Sequence, residues 1–370
     1  MAGYNTPPRG DEIEVSVFGP GFGECIVVHP GGSEWLIVDS CLVGPPRKKV
    51  PVALKYLDDL GVGHGAVKLV VATHWHADHF RGIADIVKRC SNAKFVLSDA
   101  LGSDEFLIYV KSLTPRLSIG AARHVAEMAN ALEAVRSRSF SKHARATAGL
   151  LLRQGFKPGY RVSALSPSPA SVDRAIDEFA KLIPALGSPV RTVPAFKIND
   201  AAVAIAIEIG ETLILLGSDV EALDDNDRGW KAILASDVRP PGRSQVYKVA
   251  HHGGRSGDSD EIWERLLSNE PVAVLTPWAL GAKRLPTNDD RDRTLGRDGS
   301  SYATRIAGYA STPTQIDPAI RSFLAETTLT TREVDDNPGH VRLRKRISEA
   351  SWRVELFNGA GQLADYDEAA

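Results

Sequence analysis

The stretch VVATHWHADHFRGI, from Val70 to Ile83, packs metal-ligand side chains into six positions directly after a run of β-branched residues. These side chains are His74, His76, Asp78 and His79. The apolar run predicts a buried strand that ends just before the first histidine. In the loop that leaves this strand, two histidines two positions apart can face one metal ion, while the aspartate and last histidine turn toward a second. Imidazole and carboxylate are ligands that zinc, manganese and iron accept.

The composition is that of an ordinary globular protein. The chain has 370 residues, 43% of them hydrophobic and 24% charged, with a net charge of −2, so nothing in the global charge favours nucleic acid or a membrane surface. The three cysteines are scattered and none lies in a C-x-x-C pair, which predicts a reducing compartment, the cytoplasm. We expect neither a signal peptide nor a membrane segment, because no apolar run approaches about 18 residues.

Predicted strands and helices alternate along most of the chain, which favours an α/β fold in a single domain over residues 1–370. An Ala-rich interval of about residues 100–160 has helical spacing and predicts a helical insertion. An Arg- and Asp-rich interval of about residues 282–325 predicts a loop-rich insertion. The main strands are predicted at Glu12–Phe18, Cys25–His29, Trp35–Val38, Lys68–Ala72, Arg161–Leu165, Ala202–Glu208, Thr212–Leu216, Val246–Ala250 and Val272–Thr276.

Further ligands must come from distant parts of the chain, because four neighbouring side chains cannot complete two coordination spheres. LILLGSDVE ends an apolar strand with Asp219, whose carboxylate could bridge two ions. YKVAHHGG ends another with His251 and His252, and LIVDSC ends a third with Asp39. A strand that stops at a ligand-type residue places it at a sheet edge, where open α/β folds collect their ligands.

Three motifs in this order, THWHADHFRG, LLGSDVE and KVAHHGG, resemble the metallo-β-lactamase superfamily. Within it the chain looks most like the hydrolase domain of competence-type DNA-uptake proteins. The likeness extends to FGPGFGECIVV, WLIVDSC and INDAAVAIAIEIGETLILLGSD, and covers roughly residues 12–100 and 160–280. The resemblance implies an αββα sandwich, of the α/β class, with a dinuclear metal site at one edge of its two sheets.

Carried over residue by residue, the resemblance implies two divalent ions, zinc or alternatively manganese. His74 and His76 would bind the first ion and Asp78 and His79 the second, with Asp219 bridging both. The reaction implied is hydrolysis, in which Asp78 or Asp219 helps to orient the attacking water.

The resemblance leaves the remaining ligands less complete. His251 is the preferred further ligand of the second ion, because in the wider family this ligand closes the strand, and His252 would then be a catalytic neighbour of the substrate. Asp39 would hydrogen-bond a ligating imidazole. Many superfamily members supply another histidine to the first ion, and in VSALSPSP the corresponding place is taken by Ser166. Whether one or two ions bind therefore stays open.

Three functions remain open at this stage. The favoured one is a phosphodiesterase or nuclease, in which Lys248, Arg255 and Arg284 could lie near a phosphate of the substrate, possibly a nucleic acid. The basic runs PPRKKV and RLRKR are either local phosphate-binding patches or ordinary solvated surface. The second function is hydrolysis of a small ester, lactone or thioester, with the insertions as a lid. The third is a regulatory or interaction subunit with weak catalysis, which binds a protein partner through the insertions.

Overall fold

The computed structural model describes residues 3–19, 22–45, 48–113, 122–136, 143–183, 198–280, 282–306 and 338–368. The strands are β1 (Glu12–Gly19), β2 (Cys25–His29), β3 (Trp35–Val38), β4 (Leu42–Val43), β5 (Val50–Pro51), β6 (Val67–Ala72), β7 (Lys94–Ser98), β8 (His143–Ala146), β9 (Leu151–Phe156), β10 (Gly159–Ala164), β11 (Ile205–Ile209), β12 (Thr212–Leu216), β13 (Ser244–Lys248), β14 (Leu267–Leu275), β15 (Trp278–Leu280), β16 (Lys283–Leu285), β17 (Ser300–Ala303), β18 (Gly339–Arg346), β19 (Arg353–Phe357) and β20 (Gly361–Gln362). The helices are α1 (Val52–Asp59), α2 (Ala77–Phe80), α3 (Ile83–Arg89), α4 (Asp104–Leu113), α5 (Ala122–Arg136), α6 (Pro169–Leu182), α7 (Gly229–Ala235), α8 (Asp260–Leu266) and α9 (Asn288–Leu295).

Two eight-stranded sheets pack face to face. The first has the order β19-β18-β1-β2-β3-β6-β7-β8, and the second β20-β17-β14-β13-β12-β11-β10-β9. Alternation along β1 turns Ile13, Val15 and Val17 toward the second sheet, where they meet residues such as Ile207 and Val246 in a shared apolar core. Burial of both faces explains why these strands contain so many β-branched residues.

Helices cover the outer face of each sheet. The first sheet is covered by α1, α3, α4, α5 and α6, which bury side chains such as Leu57, Phe106 and Phe179 against it. The second is covered by α7 and α8, which bury Trp230 and Ile262. The predicted αββα sandwich is therefore confirmed. None of the described helices is both long and apolar enough to cross a membrane.

Parallel strands bring the chemically interesting residues to one edge. In the first sheet β3 and β6 run parallel, and in the second β12, β13 and β14 run parallel. The carboxyl ends of parallel neighbours lie at the same edge of a sheet. Asp39 follows β3, Asp219 follows β12, and the histidines at 251 and 252 follow β13.

The interval expected to be a helical insertion is helical in only part of its length. Helices α4 and α5 lie within it, but they belong to the layer that covers the first sheet. From residue 143 onward the chain forms β8, at the edge of the first sheet, and β9, at the edge of the second. Edge strands with half-exposed polar side chains lack the apolar run that identifies a central strand, so the prediction of helix for 143–160 is wrong.

The interval 282–325 is also more regular than expected. Its described part contains β16, α9 and β17, and β17 pairs with β14 inside the second sheet. Helix α9 is strongly polar and begins with a capping box formed by Thr287 and Asp290. Arg293 holds it through ion pairs to Asp290 and Asp258 at 2.6 and 2.8 Å. A helix stabilised by caps and ion pairs has no apolar stripe to read in the sequence. Residues 307–325 lie outside the described residues.

The basic run RLRKR lies in β18, and all of its side chains except that of Arg346 are buried. Arg344 donates to Glu14 at 2.7 Å and Arg342 to Glu355 at 2.8 Å, on the face covered by α1. This run is therefore not a phosphate-binding patch. Residues 46 and 47 of the other run, PPRKKV, lie outside the described residues.

His340, beside this network, is a buried histidine whose ring nitrogens make no hydrogen bond to any described residue. Its ring stacks on Phe18 at 4.1 Å and on Phe357 at 5.2 Å between centroids. Burial, and then the charges of Arg342 and Arg344, lowers the pKa of His340 well below its usual value. The folded chain therefore keeps this ring neutral at a pH where the unfolded chain protonates it.

We expect His340→Phe to reduce the acid sensitivity of the fold. Because the folded pKa lies below the unfolded value of about 6.5, stability is full above that value and is lost as the pH falls below it, by at most about 1.4 kcal/mol per pH unit. Urea unfolding of the metal-free wild-type and variant at pH 7.5 and 5.5 measures this difference. An equal pH dependence of the two proteins would contradict the assignment.

Candidate metal centre

Strand ends from both sheets bring histidines and aspartates together. His74 and His76 follow β6, and the next turn, α2, carries Asp78 and His79. Asp219 arrives from β12 and His252 from the turn after β13. All of these except the half-buried His76 have less than a tenth of their surface exposed.

The first group of donors consists of His74, His76 and Asp219, whose ligand-type atoms all lie within 4.8 Å of one another. His74 Nε2 is 3.0 Å from His76 Nδ1 and 3.5 Å from Asp219 Oδ2. Burial, and then His74, lowers the pKa of His76 to about 4. This imidazole is therefore neutral near pH 7, as a metal ligand must be.

The second group consists of Asp78, His79 and His252, again with donor atoms within 4.8 Å of one another. His252 Nε2 lies 3.2 Å and His79 Nε2 3.9 Å from Asp78 Oδ2. Asp219 adjoins this group too, because its Oδ1 is 3.4 Å from His79 Nε2 and its Oδ2 is 3.9 Å from His252 Nε2. One carboxylate thus contacts both groups.

Hydrogen bonds behind the cluster fix which nitrogen each ring presents. Asp39 Oδ2 accepts from His79 Nδ1 at 2.8 Å and from the Thr73 hydroxyl at 2.7 Å. Because that hydroxyl donates to Asp39, it accepts from His74 Nδ1 at 3.0 Å. Because each Nδ1 is engaged in one of these hydrogen bonds, His74 and His79 turn their Nε2 atoms toward the cluster, where a metal ion would take the place of a proton.

The donors also fit divalent cations. His79 Nε2 and Asp219 Oδ1, both buried, make no hydrogen bond within the described part of the chain. A buried polar atom without a partner costs about 1–3 kcal/mol, and a cation bound by both atoms would offset this cost.

The charges of the cluster are also compatible with a bound divalent cation. Burial alone would raise the pKa of Asp78 and Asp219, but His79 and His252 hold both pKa values well below their usual range. Burial would lower the pKa of His79, yet Asp219 and Asp78 raise it well above its usual value. The carboxylates therefore stay ionised, and His79 supplies the positive charge beside them in the metal-free protein. A divalent cation could take over this role, because buried charges are commonly paired or bound to a metal.

Comparison with known proteins agrees with this geometry. The sequence model of the metallo-beta-lactamase superfamily matches residues 18–115, which include the histidine cluster. This part of the chain is similar to that superfamily. The αββα sandwich has the metallo-β-lactamase fold, and it carries a candidate metal site.

Several solved structures resemble this chain at low sequence identity. The metallo-beta-lactamase fold protein YhfI from Bacillus subtilis is 13% identical, with a TM-score of 0.41, over 79% of this chain and 96% of that one. The dizinc quorum-quenching lactonase AidC is 13% identical, with a TM-score of 0.31, over 53% of this chain and 55% of that one. The metallo-beta-lactamase SMB-1 is 14% identical, with a TM-score of 0.33, over 73% of this chain and 81% of that one. A comparison with curated proteins found no match.

The two histidines that follow β13 are arranged differently from the sequence-based expectation that His251 is the ligand. His252, rather than His251, joins the donor cluster. His252 Nδ1 donates to the Thr276 carbonyl at 2.9 Å, which leaves Nε2 facing Asp78. His251 turns away, and its Nδ1 lies 2.7 Å from the Ser256 hydroxyl. Both residues have positive φ, 47° and 55°, so the chain has already left the strand when it reaches them. We therefore move the proposed ligand role from His251 to His252.

Ser166 provides no donor to either group of the domain. Its hydroxyl donates to the Ala202 carbonyl at 2.7 Å and accepts from Ala204 N at 2.8 Å. Between these two residues, Val203 N donates to the Thr73 carbonyl at 3.1 Å, so Ser166 supports the segment that packs beside His74. Within the described residues the first group therefore has three protein donors.

The position of Lys248 and the role of Thr73 were not predicted from the sequence. Lys248, expected near a phosphate, is buried and lies 2.5 Å from Glu24 Oε2. Thr73 was not identified from the sequence at all, although a hydroxyl residue between a strand end and a ligating histidine is a usable signal. Cys41 is buried, and burial raises the pKa of its thiol, which disfavours a nucleophilic role.

We expect Asp39→Asn to weaken metal binding with little change in fold. Asp39 has a φ of 60°, a conformation that asparagine also tolerates. The amide nitrogen would, however, put a donor against one of the donors of Thr73 or His79. Loss of such a supporting contact costs about 10- to 100-fold in metal affinity. Chelator competition measures the affinity, and unchanged binding in a folded variant would contradict the role of Asp39.

Proposed function

We propose that the domain is a metal-dependent hydrolase that cleaves phosphodiester bonds with two divalent ions, zinc or alternatively manganese. One observation carries the proposal: the Asp219 carboxylate lies 3.5 Å from His74, 3.4 Å from His79 and 3.9 Å from His252. A carboxylate shared by two donor groups is suited to bridging two ions. His74 and His76 would hold the first ion, and Asp78, His79 and His252 the second.

Divalent cations bound here would supply a nucleophile from water near neutral pH and neutralise the negative charge that develops on the scissile group. The residues of the chain would orient the attacking water and the ligand nitrogens. Asp78 or Asp219 offers carboxylate oxygens that accept a hydrogen bond from the attacking water and so orient it. His74, His79 and His252, with their tautomers fixed by Thr73, Asp39 and Thr276, keep their Nε2 atoms in place without reorganisation.

Aromatic and cationic side chains beside the cluster support the choice of a phosphodiester. The Trp278 ring stacks on the His252 ring at 6.1 Å and an interplanar angle of 22°, and Phe22 lies 6.2 Å from Trp278. The Arg81 guanidinium lies 4.8 Å over the Phe22 ring. Arg255 follows the His252 turn closely in the chain and is exposed. Aromatic rings stack nucleobases, and arginine binds phosphate oxygens in bidentate fashion.

The resemblance to the competence-type proteins is part of the same proposal and is consistent with a nucleic-acid substrate. The test is metal analysis together with hydrolysis assays on bis(p-nitrophenyl) phosphate, DNA, RNA, a lactone and a thioester. Asp78→Ala combined with His79→Ala serves as the metal-deficient variant. We expect metal-dependent cleavage of phosphodiesters that this variant loses. Cleavage of the lactone or thioester alone would refute the substrate class, and full metal occupancy without any turnover would favour a regulatory role with a protein partner.

We expect Trp278→Ala to weaken the use of oligonucleotides specifically. Stacking of one base on an aromatic side chain is worth about 1–3 kcal/mol, so kcat/KM for a short DNA should fall by roughly 5- to 150-fold. An abasic oligonucleotide of the same length has no ring to stack and is the matched control. Equal losses on both substrates would contradict a base-stacking role for Trp278.

A further inference from the structure

A buried ion pair lies behind the second group of donors. Lys248 Nζ is 2.5 Å from Glu24 Oε2, and each side chain is 1% exposed. Lys248 ends β13 and Glu24 directly precedes β2, so the pair joins the two sheets at the edge that carries the metal centre. Desolvating two charges costs several kcal/mol per ion, and an apolar pair of similar size is often at least as stable. Stability alone is therefore a weak reason for this pair.

Glu24 contacts both members of the Asp78 and His252 pair. Its backbone N–H donates to the Asp78 carbonyl at 2.8 Å. Its carboxylate accepts from the Thr276 hydroxyl at 2.6 Å, and the carbonyl of Thr276 is the group that accepts from His252 Nδ1. One residue thus reaches the aspartate through the backbone and the histidine through a single intermediate.

The surroundings fix this arrangement from both sides. Lys248 Nζ also donates to the Val249 carbonyl at 2.9 Å, which holds the end of β13 three residues before His252. Gly23, which precedes Glu24, has a φ of 127°, and a Cβ there would lie 2.6 Å from Cys41 Cβ. Only glycine lets the chain approach this closely while Glu24 faces the cluster.

We propose that the Glu24–Lys248 pair is a positioning element, which holds Asp78 and His252 in the geometry that binds the second ion. The inference rests on the proposed metal site and is independent of the substrate class. Glu24 also has an oxygen within 4.8 Å of donor atoms of Asp39 and His79. Its Oε2 already contacts Lys248 and Thr276, and in this proposal Glu24 acts through those contacts rather than as a ligand. The carboxylate anchors the Thr276 segment, and the ammonium compensates its charge and anchors the strand end.

The decisive variant is Glu24→Leu combined with Lys248→Met, which removes both charges and leaves neither one buried alone. Titration with Zn²⁺ and with Co²⁺ against a competing chelator measures the affinity for each equivalent, and the Co²⁺ absorption spectrum reports the ligand geometry. We expect the affinity for the second equivalent to fall about 10- to 100-fold, as for loss of other groups that orient ligands, with the first equivalent little changed. The melting temperature of the metal-free variant should equal or exceed that of the wild-type protein.

Two further variants separate positioning from packing. Glu24→Gln with Lys248→Met keeps an acceptor for the Thr276 hydroxyl and should recover part of the lost affinity. Glu14→Leu with Arg344→Met removes a comparable buried pair, 2.6 Å apart and 0–1% exposed, on the outer face of the first sheet. This control should leave both metal affinities unchanged, whatever its melting temperature.

Each outcome has a definite meaning. A folded Glu24→Leu, Lys248→Met variant that binds both equivalents like the wild-type protein would overturn the positioning role. The positioning role would also be overturned if the affinities for both equivalents fell equally and the control variant showed the same loss, because the pair would then contribute only to packing. If the double variant does not fold, Thr276→Val, which leaves the ion pair intact, must lower the second affinity, and no change overturns the proposal. A wild-type protein that binds fewer than two ions would instead refute the proposed dinuclear site.

Discussion

Asp219→Asn is expected to lower hydrolytic turnover by about 10²- to 10³-fold and to reduce the bound metal from two ions to one or fewer. The carboxylate of Asp219 lies 3.4 to 3.9 Å from one histidine of the first group and two histidines of the second. An amide of the same shape offers one oxygen, and its nitrogen cannot bind a cation. The change therefore affects both groups, whereas loss of any other donor affects one.

Three measurements check this prediction: metal content by atomic spectroscopy, turnover of bis(p-nitrophenyl) phosphate, and the rise in melting temperature on addition of Zn²⁺. A ligand present at 100 times its Kd stabilises the fold by about 2.7 kcal/mol, and most of this gain should disappear in the variant. Asp224→Asn is the matched control, since Asp224 is fully exposed and, among the described residues, forms an ion pair only with Lys231. A variant that retains two ions would rule out a bridging role for Asp219.

The sequence predicted the central strands because burial on both sides leaves an unambiguous apolar run. Strands such as β6 and β12 are buried over most or all of their length, and each ends shortly before a residue of the cluster. The same strand ends predicted that Asp39 and Asp219 each lie at the edge of a sheet, and the structure brings the edges of the two sheets together. The strand ends also explain why three motifs far apart in the chain meet in space.

The edges of the fold and its polar helices were not predictable in this way. Strands β8 and β9 are short edge strands with half-exposed side chains, and α9 depends on a capping box and ion pairs. The burial of the β18 arginines was not expected, because a strand with Arg342 and Arg344 on one face suggests an exposed surface. Their partners Glu14 and Glu355 come from the neighbouring strands β1 and β19, and strand pairing cannot be inferred from local sequence.

Local sequence is equally unable to decide which of the two adjacent histidines after β13 faces the site. In a continuing strand, His251 and His252 would point to opposite faces, and the strand-closing position would favour His251. The chain instead turns through two left-handed residues, which directs His252 toward Asp78 and His251 toward Ser256. Only the path of the backbone decides between them.

His252→Ala should therefore lower turnover by about 10²- to 10³-fold and remove the second ion, while His251→Ala should cost less than about tenfold. His252 is buried with Nε2 facing the carboxylate of Asp78, whereas His251 is half-buried and bonded to Ser256 outside the donor cluster. The two substitutions are well matched, because both delete an imidazole at a residue with positive φ and so carry a similar backbone cost. Any difference between them then reports on the side chains alone.

Two measurements decide whether His251 or His252 binds the second ion: the metal content and the turnover of each variant at equal Zn²⁺ concentration. The melting temperature of each variant is recorded as a control for folding. If His251→Ala loses the second ion and His252→Ala keeps it, the ligand is the residue that closes the strand, and the turn must rearrange when metal binds. If both lose it, the second ion takes both histidines, which would add a donor to the present group of Asp78, His79 and His252. If only His252→Ala loses it, the left-handed turn after β13 is what selects the ligand, and a substitution that straightens this turn should weaken the second ion as strongly as removal of the imidazole.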